Sequence, residues 1–316
     1  MEEQLDIITI GESLIELSSD TNLARAEVFN KYYGGDTLVS AVAASRLGAK
    51  VGFVTRVGND AFKDFLMDSW QAEGLDISQV KVANEQNGIY FVSKSADGEQ
   101  EFVYYRKKIA PAKISIDDIS EDYVKSARMV YSSGITQSLS LSAKEAVAKM
   151  FEVAHSNGVM TAYDPNYSAA ISTPENAREN FNELAPNLDI LFMNTKYDAV
   201  SILELDSVEN IIKKIWDKEI LIVVLKSPEK GGYYVGYNGS ITFVDFYTKS
   251  EDVVDTSCTG DTFNGAFLYG ITQGYNPCEA ARLASVAAGL QARGLGAVKS
   301  IPYASDVMAI LKKGDN

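Results

Sequence analysis

The chain has 316 residues, of which 46% are hydrophobic and 23% charged, so it is long and apolar enough to bury a substantial core. Its formal net charge of −14 argues against nucleic acid as a partner, because no basic stripe is present. Two cysteines and one histidine supply neither metal-ligand spacing nor the pair that a Ser-His or Cys-His hydrolase needs. Without a signal-peptide core or a membrane-length apolar run, we expect a cytoplasmic protein with no membrane partner.

The first third of the chain alternates short apolar strands with helices. We predict strands over 6–10, 14–17 and 51–55, and helices over 38–48 and 60–74 that each end at a glycine. Two aromatic, β-branched runs then flank Ala96-Asp97-Gly98. This pattern predicts a β-hairpin over 88–106 that interrupts the alternation.

The rest of the chain returns to the alternation of strands and helices. Continuous apolar runs predict strands buried on both faces, at 129–132, 159–163, 190–193 and 221–225. The intervening and later patterns predict helices over 141–157, 175–185, 207–218, 260–274 and 277–293, one more near the C-terminus, and an antiparallel pair over 232–246. We therefore expect one α/β domain over 1–316, with a largely parallel sheet covered by helices on both sides.

The most informative segment is residues 253–267, where a turn of small residues leads into a predicted helix rich in Ala, Gly and Phe. Backbone N–H groups at a helix N-terminus are unpaired and favour phosphate oxygens. A carboxylate placed there, Asp261, would accept the proton of a hydroxyl that attacks a bound phosphoryl group. The alternative is that Asp261 only caps the helix.

The same run resembles the signature of the PfkB/ribokinase family of carbohydrate kinases, with Asp255, Thr256, Gly260 and Asp261 kept and Ser257-Cys258-Thr259 substituted. The resemblance implies a ribokinase-like three-layer α/β/α fold with a mostly parallel central sheet. It also implies a small β-sheet lid formed by about 12–34 and 86–108. Asp261 would then be the catalytic base, and the amides of Cys258, Thr259 and Gly260 would form an anion hole.

Further matches in the same order extend the resemblance over nearly the whole chain. Gly34 and Gly35 precede a helix, as the family's Gly-Gly turn against the sugar does, although a tight turn alone explains them equally well. ATP and Mg²⁺ are the implied cofactors. The implied cofactor-binding residues are Asn194, Lys226, Gly231, Gly260, Ser285 and Gly289.

Three further positions depart from the family pattern. Val39 replaces an Asn that hydrogen-bonds the sugar, and Pro228 replaces a Gly two residues after Lys226. Tyr197 replaces the acid that helps to organise magnesium, so the metal ligands remain open. Asp198, one residue later, is the alternative acid for this role, although a helix would turn it about 100° away from that position.

The opening and the insert resemble those of 2-keto-3-deoxygluconate kinases most. By this resemblance the substrate-binding residues are Glu12, Gly34, Gly35, Tyr90, Tyr104, Arg106, Asn166 and Asp261. The fork of Arg106 is suited to a carboxylate, the alternative being a structural salt bridge in a lid packed on a partner subunit. Ser168 stands where these kinases and fructokinases carry Arg.

These observations leave three functions open. The first is an ATP-dependent kinase acting on a primary hydroxyl of a sugar acid, best 2-keto-3-deoxygluconate. The second is a fructokinase or other ketose kinase. The third is a catalytically weak, ligand-binding regulatory protein, motivated by Val39, Tyr197 and Cys258. The resemblance also implies a homodimer that forms through the β lid.

Overall fold

The computed structural model describes residues 4–94 and 100–314. Within these ranges the strands are β1 (Leu5–Ile10), β2 (Leu14–Ser19), β3 (Asn30–Gly34), β4 (Val51–Val54), β5 (Arg56–Gly58), β6 (Lys81–Ala83), β7 (Gly88–Lys94), β8 (Gln100–Tyr105), β9 (Ala127–Ser133), β10 (Met160–Asp164), β11 (Ile190–Asn194), β12 (Ile222–Ser227), β13 (Gly232–Tyr237) and β14 (Ser240–Asp245). The α-helices are α1 (Asp36–Leu47), α2 (Lys63–Ala72), α3 (Glu121–Lys125), α4 (Gly134–Gln137), α5 (Leu141–Ser156), α6 (Pro174–Leu184), α7 (Val208–Trp216), α8 (Thr259–Thr272), α9 (Pro277–Gln291) and α10 (Ala304–Gly314). The predicted turn at Ala96-Asp97-Gly98 lies outside the described residues.

Eight strands form the central sheet in the order β14-β13-β12-β11-β10-β9-β1-β4. The pairs from β12 through β4 are parallel, whereas β13 and β14 add an antiparallel edge. The predicted mostly parallel sheet is therefore confirmed. Its parallel strands all end at the same edge, where open α/β sheets bind their ligands.

Helices cover both faces of this sheet, because alternate strand residues point to opposite sides. Ile7 and Val224 belong to the core cluster that packs on α1, α8 and α9. Their neighbours Ile8 and Val223 belong to the cluster that packs on α5, α6 and α7. Strands buried on both faces must be apolar throughout, which is why they appear in the sequence as continuous apolar runs.

A second, four-stranded sheet has the order β3-β2-β7-β8 and forms the lid. Its strands lie within the two segments predicted for it, and β7 and β8 form the predicted antiparallel pair. The sequence patterns did not predict β3 or the short pair β5–β6. No helix among the described residues is long and apolar enough to cross a bilayer.

Candidate active site

Polar side chains collect where the parallel strands end. Asp164 closes β10, Asn194 closes β11, and Lys226 is the penultimate residue of β12. The N-terminus of α8 lies opposite, so these three residues and Asp261 line one chamber of about 220 Å³. Each strand brings a single polar group to the edge, and the sheet places those groups side by side.

Asp261 sits in the first turn of α8 and is buried. The Asn166 side-chain amide donates to its Oδ1 at 3.4 Å. Burial first, and then the negative charge of Asp36, raises the pKa of Asp261 well above the ordinary value of 3.8, although Lys226 opposes the shift. A carboxylate with a raised pKa is a stronger proton acceptor, which suits a general base.

The turn before α8 differs from the expected anion hole in one amide. Cys258 adopts the left-handed conformation at φ +58°, and the Thr259 N–H donates to Thr256 O at 3.2 Å. Thr259 is thus engaged within the turn. The amides of Cys258 and Gly260 have no protein acceptor within the described part of the chain, so they remain as phosphate donors.

Burial, followed by the charge of Asp261, raises the pKa of the Cys258 thiol well above its usual value. The protonated thiol is a poor nucleophile, in agreement with the expectation that Cys258 contributes its backbone amide rather than its sulfur. Gln291 braces the same turn from behind, since its Nε2 donates to Ser257 O at 3.1 Å and to Ala297 O at 2.9 Å.

Lys226 lies inside the chamber rather than at its outer edge. Its Nζ is 2.5 Å from Asp164 Oδ2, and a Cβ on Gly260 would lie 3.3 Å from the same Nζ. Although burial opposes the shift, the carboxylates of Asp164 and Asp261 raise the pKa of Lys226 above its usual value. The ammonium therefore stays charged and faces the α8 turn, where phosphate would be held.

Asp164 also accepts from the Asn264 side-chain amide at 2.7 Å, and Asn264 in turn donates to the buried Tyr131 hydroxyl at 3.0 Å. These hydrogen bonds hold the Asp164 carboxylate in place beside Lys226. Asn264 lies three residues after Asp261 on α8 and therefore on the same face of the helix. Sequence analysis did not use this spacing, which could have identified Asn264.

The segment after β11 places its acid one residue later than the family pattern. Tyr197 is 56% exposed and Asp198 is buried, and both residues line the chamber. Of the two possibilities for Asp198, the structure thus shows its side chain on the chamber side. Burial, followed by the charge of Asp164, raises the pKa of Asp198 to about 7.

Two close contacts of the backbone require glycine at positions 34 and 35. A Cβ on Gly34 would lie 2.7 Å from the Tyr90 hydroxyl oxygen, and one on Gly35, at φ +139°, would lie 2.3 Å from Glu12 O. The next residue, Asp36, is buried and accepts from Asn166 Nδ2 at 3.3 Å. Sequence analysis missed Asp36, although its place directly after the two glycines is a signal.

Val39, by contrast, is fully buried in the hydrophobic core against which α8 packs. It offers no hydrogen bond at the position where the family carries Asn. The polar contacts of this region come instead from Asp36, one turn earlier on the same helix.

A large cavity, of about 1130 Å³, opens between the lid and the edge of the sheet. The cavity is lined by Tyr104, Arg106, Asn166 and Ser168 among others. Arg106 forms a salt bridge with buried Glu12, with Nη2 and Oε1 2.5 Å apart. Burial raises the pKa of Glu12 to about 7, with Arg106 opposing the shift. Of the two interpretations of Arg106, the salt bridge is thus present, and the guanidinium also faces the cavity.

Tyr90 pairs directly with Tyr104 across β7 and β8, so the two side chains share one face of the lid. Its ring stacks on Tyr104 with centroids 5.5 Å apart, and its hydroxyl donates to buried Glu16. Both Tyr90 and Glu16 line a further cavity of about 250 Å³, which also reaches Asp255 and Ser257 in the turn before α8. The contact of Tyr90 with the substrate stays a prediction.

An apolar slot of about 110 Å³ lies beyond the α8 turn, lined by Tyr233, Phe246, Ser285 and Gly289 among others. The Ser285 hydroxyl is already engaged, since it accepts from Tyr247 N at 3.0 Å and donates to Asp245 O at 2.7 Å. Ser285 thus builds the slot wall. Gly231, at φ +72°, ends the turn before β13 and lines none of the cavities described above.

Three of these cavities, namely the large one, the chamber at Asp261 and the apolar slot, lie in series. Asn166 lines both the large cavity and the chamber at Asp261, while the turn at 256–260 lines both the chamber and the apolar slot. A polar cleft, a phosphate-sized chamber and an apolar slot in that order match an acceptor sugar, a transferred phosphoryl group and a nucleotide base.

Comparison with known proteins agrees with this arrangement. Residues 4–304 match the model of the pfkB family of carbohydrate kinases. The chain is 30% identical to the 2-dehydro-3-deoxygluconokinase of Thermoproteus tenax, over 98% of this chain and 95% of that one. It is 28% identical to the 5-dehydro-2-deoxygluconokinase of Clostridium perfringens, over 98% and 94% of the two chains.

Among solved structures, the 2-dehydro-3-deoxygluconokinase of Thermotoga maritima superposes with a TM-score of 0.89 at 23% identity, covering 98% of each chain. A putative ribokinase II from E. coli, solved with ATP and Mg²⁺, superposes with a TM-score of 0.89 at 22% identity, covering 98% of this chain and 99% of that one. These likenesses establish the ribokinase-like fold. With the family match across nearly its whole length, the chain belongs to the pfkB family of carbohydrate kinases.

Proposed function

We propose that this protein transfers the γ-phosphoryl group of ATP to the primary hydroxyl of a keto-deoxy sugar acid, with 2-keto-3-deoxygluconate as the first candidate. One observation carries the proposal: a buried carboxylate, Asp261, stands at the inner end of a cleft whose wall carries Arg106 and whose outer end is lined by Lys107 and Lys108. The inner end activates a hydroxyl, and the outer end attracts an anion.

The charges along the cleft support an acidic substrate with a fixed orientation. Glu12, Asp36 and Asp261 are buried around its inner end. Lys107 and Lys108 are exposed at the mouth and form no ion pair with any described residue. In a chain of net charge −14 this local positive mouth is distinctive. A substrate with a hydroxyl at one end and a carboxylate at the other would bind with its hydroxyl toward Asp261.

In the proposed reaction the substrate hydroxyl gives its proton to the Asp261 carboxylate as its oxygen forms a bond to the γ-phosphorus of ATP. The bond between that phosphorus and the β–γ bridging oxygen breaks, and ADP leaves with the electron pair. The free amides of Cys258 and Gly260 and the charged Lys226 stabilise the negative charge on the transferred group. The Asp261 proton returns to water when product departs.

The residues present fit ATP and Mg²⁺. The aromatic walls of the apolar slot suit a base, and the α8 turn suits its phosphates. Across residues 4–94 and 100–314, no three acidic, His or Cys side chains converge to hold a metal. That matches a Mg²⁺ held chiefly by phosphates and water, with at most one or two carboxylates. The ion would neutralise phosphate charge.

The relatives support a sugar acid over a neutral ketose, since both are named as kinases of dehydro-deoxygluconates. They also make 5-dehydro-2-deoxygluconate the second candidate. A neutral ketose is favoured by Ser168, which leaves that wall without a cation, and by the pairing of Arg106 with Glu12. The buried base, Lys226 and free amides oppose a purely regulatory protein, because binding alone needs no activated carboxylate.

A substrate panel tests the proposal. ATP consumption is measured with 2-keto-3-deoxygluconate, 5-dehydro-2-deoxygluconate, fructose and ribose, and the phosphorylated product is identified. We expect the highest kcat/KM with a keto-deoxy acid. Activity on fructose alone, or ligand binding without turnover, would contradict it.

The double variant K107A/K108A probes the cationic mouth of the cleft. We expect it to raise KM for the acid about tenfold while leaving kcat and any weak ketose activity unchanged. K125A/K149A is the matched control, because these exposed lysines pair with Glu121 away from the cleft. An equal KM increase in both double variants would show a general charge effect instead.

We also propose a homodimer formed through the lid. β8 is an edge strand of the lid sheet, and its last four residues, Phe102 to Tyr105, are 38–65% exposed. Exposed aromatic residues on an open strand edge favour pairing with another chain. Light scattering should give twice the monomer mass of 34.4 kDa, and F102D should return the monomer.

A further inference from the structure

The segment after β11 carries a feature that the proposed reaction does not use. Ala199–Leu203 form a single π-helical turn, which ends at Glu204 with φ +58°. A π turn holds more residues than an α turn, and such turns commonly accompany functional sites. Just before this turn, the side chain of Tyr197 is exposed and that of Asp198 lies inward, where it is 3% exposed.

Both carboxylate oxygens of Asp198 bind backbone amides, and the two amides belong to different loops. Oδ1 accepts from Tyr167 N at 2.8 Å, in the loop after β10. Oδ2 accepts from Asn194 N at 2.6 Å, at the end of β11. Hydrogen bonds to a carboxylate are about twice as strong as neutral ones, so the side chain ties the two loops firmly together.

The first loop carries the acceptor side of the site. Tyr167 follows Asn166, which is held at φ +41°. Asn166 N donates to Asp164 Oδ1 at 3.0 Å, and its side-chain amide reaches both Asp36 and Asp261. The position of Asn166 against the catalytic carboxylate thus depends on an amide anchored one residue away by Asp198.

The second loop carries the phosphate side. Asn194 Oδ1 accepts from Lys196 N at 2.8 Å and Tyr197 N at 3.1 Å, which closes a tight turn. This turn borders the chamber that Lys226 and Gly260 share. A shift of the Asn194 amide would move the chamber wall that faces the transferred phosphoryl group.

We propose that Asp198 is a positioning residue that couples the sugar-side loop to the phosphate-side loop, so that binding of one substrate organises the subsite of the other. The proposal rests on the proposed function only for the choice of sugar ligand. It assigns Asp198 no contact with substrate, and its effect passes through the Tyr167 and Asn194 amides.

The first test measures binding of the non-hydrolysable analogue AMP-PNP, with Mg²⁺, by calorimetry with and without 2-keto-3-deoxygluconate. In the wild type we expect the sugar to tighten AMP-PNP binding by about fivefold or more. In D198N, where one oxygen becomes an amide donor facing an N–H, we expect this factor to fall to about one. We also expect kcat to fall roughly tenfold, with each separate Kd changed less than about threefold.

V200A is the matched control, because Val200 is a nearby exposed residue that lines none of the cavities described above, so both coupling and kcat should be kept. Wild-type coupling in D198N, no coupling in the wild type, or an equal loss in V200A would each overturn the proposal. If no keto-deoxy acid is a substrate, the proposed function fails, and the same measurement is made with the sugar that the panel identifies.

The second test needs no variant and so decides the matter if D198N does not fold. Amide hydrogen exchange is followed in the wild-type protein with AMP-PNP and Mg²⁺ alone. We expect protection to increase about fivefold or more at Tyr167 as well as at Asn194. Protection confined to Asn194 and the α8 turn would refute the coupling, whichever sugar the enzyme uses.

Discussion

Replacing Asp261 with Asn should abolish most of the activity while making the folded protein more stable. The substitution keeps the shape of the side chain and an oxygen for the Asn166 amide, which lies 3.4 Å away. It removes the ability to accept a proton. It also removes a buried negative charge that Asp36 and burial disfavour, as the raised pKa of Asp261 shows.

The expected loss of activity follows from the neighbouring carboxylates. Asp164 is bound to Lys226 and Asn264, and Asp198 to two backbone amides. Asp36 accepts from Thr37 N at 2.8 Å and from Asn166. None is free to replace the base, so the loss should reach the upper part of the usual range for general-base catalysis, about 10³- to 10⁴-fold in kcat. That corresponds to about 4–5.5 kcal/mol in the barrier.

The expected change in stability has the opposite sign. A carboxyl whose pKa is raised in the folded state contributes stability below its unfolded pKa, and this contribution is lost as pH rises through the folded pKa. The wild type therefore bears the cost of an ionised Asp261 at high pH, and D261N does not. We expect the Tm of D261N to exceed that of the wild type at pH 8 and the difference to shrink at pH 5.

The assay combines a coupled ADP-release measurement over pH 5–9 with thermal unfolding of the same samples. D36N is the matched control, because the charge of Asp36 is the second largest cause of the raised pKa of Asp261. We expect D36N to move the acidic limb of kcat/KM to lower pH while D261N removes the activity. A D261N variant that keeps more than about a tenth of wild-type kcat would refute the role of the base.

Three further substitutions test the lid and the turn. E16Q keeps an acceptor for Tyr90 and removes a carboxyl whose pKa burial raises to about 7. We therefore expect the free energy of unfolding to rise by up to ~3 kcal/mol above pH 7 and to change little at pH 5. G34A places a methyl group 2.7 Å from the Tyr90 hydroxyl oxygen. We expect the free energy of unfolding to fall by about 1–3 kcal/mol and the KM for the sugar to rise. Unchanged values would show that the lid moves without cost. C258G relieves the φ of +58° and keeps the amide, so kcat should stay within about threefold; a large loss would assign catalysis to the thiol beside Asp261.

Local patterns in the sequence predicted most of the elements, because the physics that specifies them is local. The apolar runs that became β9 to β12 are buried on both faces, so few polar residues, Thr161 in β10 among them, lie within them. Asn157-Gly158 predicted the end of α5, because glycine accepts the φ of +71° found at Gly158 without a steric cost. The family signature around Asp261 likewise predicted an acid at the start of a helix.

What the sequence alone determined was the order of most elements, the fold class and the position of Asp261 at the start of a helix. Only the tertiary structure showed that Arg106 is paired with Glu12, that Tyr90 is bonded to Glu16, and that Asp198 turns inward. These outcomes depend on partners 31 to 94 residues away in the chain and on a π turn. Such contacts form where separate strands end at one edge of the sheet, so the spacing of residues along the chain does not predict them.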